Sequence, residues 1–184
     1  MTFSVPATSP DLVDLFAQFP PADDFPLVTP VAPDEVPPPF DGLLVHEHHM
    51  TVTVEAYHGD RVDVRVLNRH IAASHYSRKI VLELQHSRKR VLFGIVRVNL
   101  DYCSVPVCAA ILSERTPFGR ILIEHNVMRR IEPMVYLRVE AGPRQLAWFG
   151  SKEPRLLYGR LAYIHCDGQP AIELLEVVAP ERAG

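Results

Sequence analysis

Two charged residues stand where a sheet should be apolar. The segment Arg78–Gln85 alternates, with Arg78, Ile80, Leu82 and Leu84 on one face and Lys79, Glu83 and Gln85 on the other. Near the C-terminus the same parity groups Ile172, Leu174, Glu176 and Val178. Side chains alternate across a strand, so Arg78 and Glu176 are both expected to point into the core. An unpaired buried charge is costly, and each therefore needs a partner. Two readings stay open here. The pair neutralises itself or reaches solvent from strand ends, or both residues line an internal polar pocket where an arginine offers its fork to a carboxylate.

Other chemistry-bearing patterns are weaker. His46-Glu47-His48-His49 is dense in imidazole, but a zinc-protease helix needs His-Glu-x-x-His and Met50 stands in the fifth place. His46 and His48 could share a face, yet no third ligand is assignable, so no metal site is expected. Cys103 and Cys108 have no matching cysteine pair and read as buried or helix-side thiols. Ser87–Arg90 reads as a solvated turn. There is no Gly-x-Gly-x-x-Gly, Walker loop or Gly-x-Ser-x-Gly, which leaves dinucleotide, nucleotide triphosphate and nucleophile-elbow chemistry without support.

The elements that must position these residues follow from patterning. Ten of the 17 prolines fall in residues 1–40, which read as an arm with one short helix over Leu12–Phe16, opened by Ser9-Pro10-Asp11. Residues 41–184 read as the folded domain. Met50–Tyr57 alternates strictly and predicts a strand, returning through His58-Gly59-Asp60 to Val62–Val66. Further strands are expected at Arg78–Gln85, Val91–Leu100, Val127–Val139, Leu156–His165 and Ala171–Val178. The last two flank Asp167-Gly168, a strong hairpin signal. Helices are expected over Val105–Ser113 and Pro117–Glu124, and a long loop over Glu140–Pro154. Hairpin-linked strands with a helical insertion imply an α+β fold, a single antiparallel β-sheet with helices on one side.

Composition bounds the rest. The 184 residues are 47% hydrophobic with a net charge of −3, which offers no global attraction to nucleic acid or anionic lipid. Three cysteines and no export signal point to a soluble, cytoplasmic chain with reduced thiols, and the longest apolar run, Val105–Leu112, is too short for a membrane span.

In order along the chain, Leu43-Leu44, Met50-Thr51, Arg78-Lys79-Ile80-Val81-Leu82, Thr116-Pro117-Phe118-Gly119-Arg120, Leu157-Tyr158-Gly159-Arg160, Asp167-Gly168-Gln169-Pro170 and Glu176-x-x-x-Pro180 resemble the chorismate pyruvate-lyase family, from about Leu43 to Pro180. The resemblance implies a pocket sealed between sheet and helices, and elimination of pyruvate from chorismate to leave 4-hydroxybenzoate, with no metal or organic cofactor. It implies Arg78 and Glu176 as the catalytic pair, Arg78 on the carboxylate and Glu176 at the far end of the ring. It implies substrate contacts at Met50, Thr51, Phe118 and Gly119, main-chain amides at Met50 and Phe118 among them. Arg130 or Arg160 is expected to hold a second carboxylate, with Arg160 ranked lower because Tyr158, Ala162 and Ile164 share its face. The chain departs from the family in its histidine cluster, in Phe118 and in the proline-rich arm. The rival expectation is a non-catalytic binding or sensor protein for a small aromatic carboxylate. The same fold serves as the effector-sensing half of some transcription regulators, behind a winged-helix reader. With only the proline-rich arm before the domain, a small-molecule partner and no nucleic acid are expected.

Overall fold

The computed structural model describes residues 9–152 and 156–180. The first eight residues of the expected arm, the end of the expected loop at Pro154 and the last four residues of the expected domain lie outside that set. In chain order the elements are α1 (Leu12–Ala17), β1 (Leu27–Val31), α2 (Phe40–Leu44), α3 (Met50–His58), β2 (Val62–Ala72), β3 (His75–Leu84), β4 (Arg90–Asn99), α4 (Val105–Leu112), α5 (Phe118–Glu124), β5 (Arg129–Glu140), α6 (Pro143–Trp148), β6 (Leu156–Cys166) and β7 (Gln169–Val178). The described strands form one antiparallel sheet in the order β1-β5-β6-β7-β4-β3-β2. The fold is α+β, one antiparallel sheet flanked by helices.

Local chemistry explains several joints. Asp167 and Gly168 have φ of 49° and 82°, and two successive positive φ values match the right-handed twist of the β6–β7 hairpin they connect. Asp11 caps α1, its side chain accepting from the amides of Val13 and Asp14. Gly59 ends α3 in the left-handed region at φ 63°.

Four expectations need correction. Met50–Tyr57 is helical. Its alternation was misleading because the buried residues are Met50, Thr51 and Val54, which share one helical face, while Val52 and Tyr57 are exposed. Burial of that face against the sheet outweighs the strand preference of its β-branched residues. Glu140–Pro154 is not all loop, since it contains α6. Helices also do not lie on one side only. On one face Val81, Phe93, Ile95, Leu175 and Val177 pack with Leu15, Phe16 and Phe19 around α1 and with Trp148 of α6. On the other, Val96, Val98 and Leu174 meet Val107 and Ile111 of α4 and Ile121 and Leu122 of α5. On that same face Ile80, Leu82 and Leu92 meet Leu43, Leu44, Met50 and Val54.

Burial on both faces explains why Val91–Val98 reads as a nearly unbroken apolar run. It also means that Lys79 and Glu83 do not look out to solvent. Lys79 Nζ lies 2.9 Å from both carboxylate oxygens of Asp24 and 5.3 Å from the ring centre of Phe16. Glu83 accepts from Arg88 at 2.9 Å and from Arg90 at 3.2 Å. Among the described residues, no helix is long and apolar enough to cross a membrane.

Candidate functional site

The face of the sheet carrying Ile80, Leu82, Leu92, Gly94, Val96 and Leu174 does not close completely against the helices. A cavity of about 50 Å³ remains, lined on the sheet side by those residues with Arg78, Arg160 and Glu176. Its cover is the start of α3 with His49, Met50 and Thr51, and the start of α5 with Pro117, Phe118 and Gly119. The volume is several times the ~10–15 Å³ that one water molecule requires. The walls are mainly aliphatic, and the charged groups sit at fixed points among them.

Arg78 is 1% exposed. Its Nε and Nη1 make no hydrogen bond, and the guanidinium lies 5.9 Å from the ring centre of Phe118. Burial pushes its pKa down, while Tyr76 and Glu114 nearby push it back up. An arginine keeps its proton under such pressure, so the cavity holds a cation with unused donors. The expected alternative, that Arg78 and Glu176 neutralise each other, is not what is seen.

Glu176 is held by Arg160 instead. Arg160 is also 1% exposed, and its Nε donates to Glu176 Oε2 at 2.8 Å. Its Nη1 donates to the carbonyls of Leu44 at 3.0 Å and His46 at 2.7 Å, and its Nη2 to that of His48 at 3.3 Å. Arg160 thus fastens the α2–α3 connection over the cavity, and each of its three nitrogens has a partner. Tyr158, Ala162 and Ile164 do share its face; its carbonyl partners come from a loop more than a hundred residues away in sequence, which no local pattern reveals.

The remaining expected residues divide. Met50, Thr51, Phe118 and Gly119 line the cavity with Arg78, Arg160 and Glu176. Arg130 does not; its side chain is 61% exposed and pairs with Glu132 at 3.1 Å. His49 is the wall residue that sequence reasoning missed, having been weighed only as a metal ligand. It is 8% exposed, its Nε2 accepts a hydrogen bond from Arg129 Nε, and its pKa is pushed down to about 4 by burial, then by Arg129 and Arg160. His46 and His48 stack with ring centres 5.6 Å apart, but His46 Nε2 is bonded to the Leu43 carbonyl. Among the described residues no group of three or more metal-ligating side chains occurs. Burial chiefly pushes the thiols of Cys103 and Cys166 up to about 11 and 12, which disfavours the thiolate.

No family model and no curated protein matches this sequence. The fold does have solved counterparts. It is similar to PhnF from Mycobacterium smegmatis, with a TM-score of 0.56 at 10% identity over 76% of this chain and 71% of that one. It is similar as well to a Bordetella bronchiseptica structure described as the ligand-binding domain of a GntR-family transcriptional regulator, with a TM-score of 0.50 at 12% identity over 66% of this chain and 87% of that one. At such identities the likeness is one of fold.

These matches correct the expectation of a chorismate pyruvate-lyase, and with it the carbon–oxygen lyase activity and the release of pyruvate and 4-hydroxybenzoate. The fold is shared with a regulator's ligand-binding domain, and the residue expected at the far end of the ring, Glu176, is tied to Arg160. The expectation that nucleic acid has no part is withdrawn too, because the Bordetella counterpart is described as a domain of a transcriptional regulator.

Proposed function

We propose that this chain is a non-catalytic ligand-binding domain that senses a small carboxylate with an apolar body, such as an aromatic acid. One observation carries the reading: Arg78 is buried with two guanidinium nitrogens unsatisfied, facing a mainly aliphatic cavity. Leaving a charge so placed is unfavourable without a counter-ion, and a carboxylate supplies both the charge and the paired acceptors. On this reading Thr51, Met50, Phe118 and Gly119 shape the site around the ligand. Arg160 and Glu176 form its rigid frame rather than its chemistry, and residues 1–40 serve as an arm to the sensing unit 41–184. The fold shared with the Bordetella domain supports an effector role in the cytoplasm, with control of transcription as the output.

Calorimetric titration with benzoate and 4-hydroxybenzoate tests this. Binding is expected, and Arg78→Met is expected to weaken it by roughly 2–5 kcal/mol, the range for truncating one partner of a buried charge pair. Equal affinity in the folded variant would place the carboxylate elsewhere. Incubation with chorismate is expected to release no pyruvate; release would overturn the non-catalytic reading.

A further inference from the structure

Arg78 is almost fully buried, so a ligand needs a way in. The cavity shares one polar wall with a second space, an outer cleft of about 580 Å³ bordered by Val52, Ile123, Met128, Arg129 and Arg130. That wall is His49, which lines both. Its side chain lies over Gly119, where an added Cβ would come within 3.2 Å of the ring. A side chain at Gly119 would press on the ring by a few tenths of an ångström.

The ring is lightly held. His49 is the N-cap residue of α3, yet its side chain makes no capping bond. The imidazole accepts from Arg129, which requires it to be uncharged at that nitrogen, and its low pKa keeps it so at neutral pH. Arg129's described hydrogen bonds go to this ring and to the Val127 carbonyl at 2.9 Å, neither of which offsets its charge. Arg130 beside it is partnered by Glu132, and Glu47 at the rim is exposed to solvent. Arg129 is therefore the cation an arriving anion can engage. A carboxylate is a stronger acceptor for a guanidinium than a neutral ring is.

We propose that the outer cleft is the entrance to the Arg78 cavity and a first station for a carboxylate, with Arg129 as first contact and His49 as the door it releases. The inference rests on the carboxylate-binding reading above. A carboxylate bonded to Arg129 takes the donor that pins His49, the ring turns off Gly119, and the anion moves inward to Arg78. Arg78 is the stronger partner because it is the more desolvated.

Stopped-flow or NMR exchange measurements on the full chain, with benzoate as probe, decide the matter. In His49→Ala, association and dissociation are both expected to rise by about tenfold, because removing a door speeds passage in both directions. In Arg129→Gln, association is expected to lose most of its dependence on salt, since the exposed cation that draws the anion is gone. Rates within about twofold of wild type in His49→Ala, or a change in dissociation alone, would overturn the door. A salt dependence unchanged in Arg129→Gln would overturn the first station. Benzoate bound at Arg78 with unaltered kinetics sinks this inference only, whereas no uptake by the wild type sinks the carboxylate reading and this inference together.

Discussion

Two arginines lie on the same inner face of one sheet, equally buried, and their surroundings are opposite. Arg160 spends its donors on a carboxylate and three backbone carbonyls, and Arg78 keeps Nε and Nη1 unbonded. Burial alone therefore does not reveal purpose. A saturated buried charge fixes structure, because its partners are supplied by the fold. An unsaturated one costs stability, and its placement makes sense when a partner arrives from outside.

The comparison is sharpest where its two halves are removed one at a time. Arg160→Met leaves Glu176 and the α2–α3 carbonyls without their donor, and an orphaned buried charge of this kind costs about 3–5 kcal/mol. Urea unfolding is expected to show a loss of that size; a loss under about 1 kcal/mol would mean the loop is fastened elsewhere. Arg78→Met, measured without ligand, is expected to be neutral or stabilising by about 1–2 kcal/mol, since a poorly satisfied charge gives way to an aliphatic chain. Clear destabilisation would show that Arg78 too is structural, and the contrast between the arginines would collapse.

How much of this was legible beforehand depends on the distance over which each residue acts. Arg78 faces inward because of its own strand's parity, and the Asp167-Gly168 turn and the helices α4 and α5 are likewise local facts. The same parity placed Glu176 inward but could not name Arg160 as its partner. Arg160's role depends on carbonyls from a loop that the chain reaches only through the fold. Met50–Tyr57 shows the converse limit: eight residues with two-residue alternation carry no sign of which three will be covered, and only tertiary packing decides. Lys79 and Glu83 looked like solvent-facing charges because nothing in their strand announces that α1 and α6 cover the second face.

Smaller effects refine the picture around the door. His49 is held near 4, below its usual 6.5, by burial and by the charges of Arg129 on β5 and Arg160 on β6. The unfolded chain thus takes the proton first, so His49's contribution to stability is complete above about 6.5 and is lost as pH falls through about 4. The difference in urea midpoint between wild type and His49→Gln is expected to shrink across that interval; a constant difference would show that the ring is not neutral when folded. Arg130→Ala should matter least. Its pair with Glu132 is largely in water, and exposed pairs contribute about 0–1 kcal/mol. A larger loss of stability would mean that this pair is more sheltered than Arg130's exposure implies.

One bond on the far side of the sheet gives the cavity a second audience. Lys79 follows Arg78 directly in β3, and by the pleat it faces the opposite way, where its ammonium grips Asp24 and lies over Phe16 and Phe19. Asp24 is gripped in turn by the indole of Trp148 at 3.0 Å, and Gln145 donates to its carbonyl at 2.9 Å. The partition between the cavity and the N-terminal segment is thus a single peptide unit thick. Arg78 and the clamp on that segment therefore hang on adjacent residues of one strand, with no joint between them.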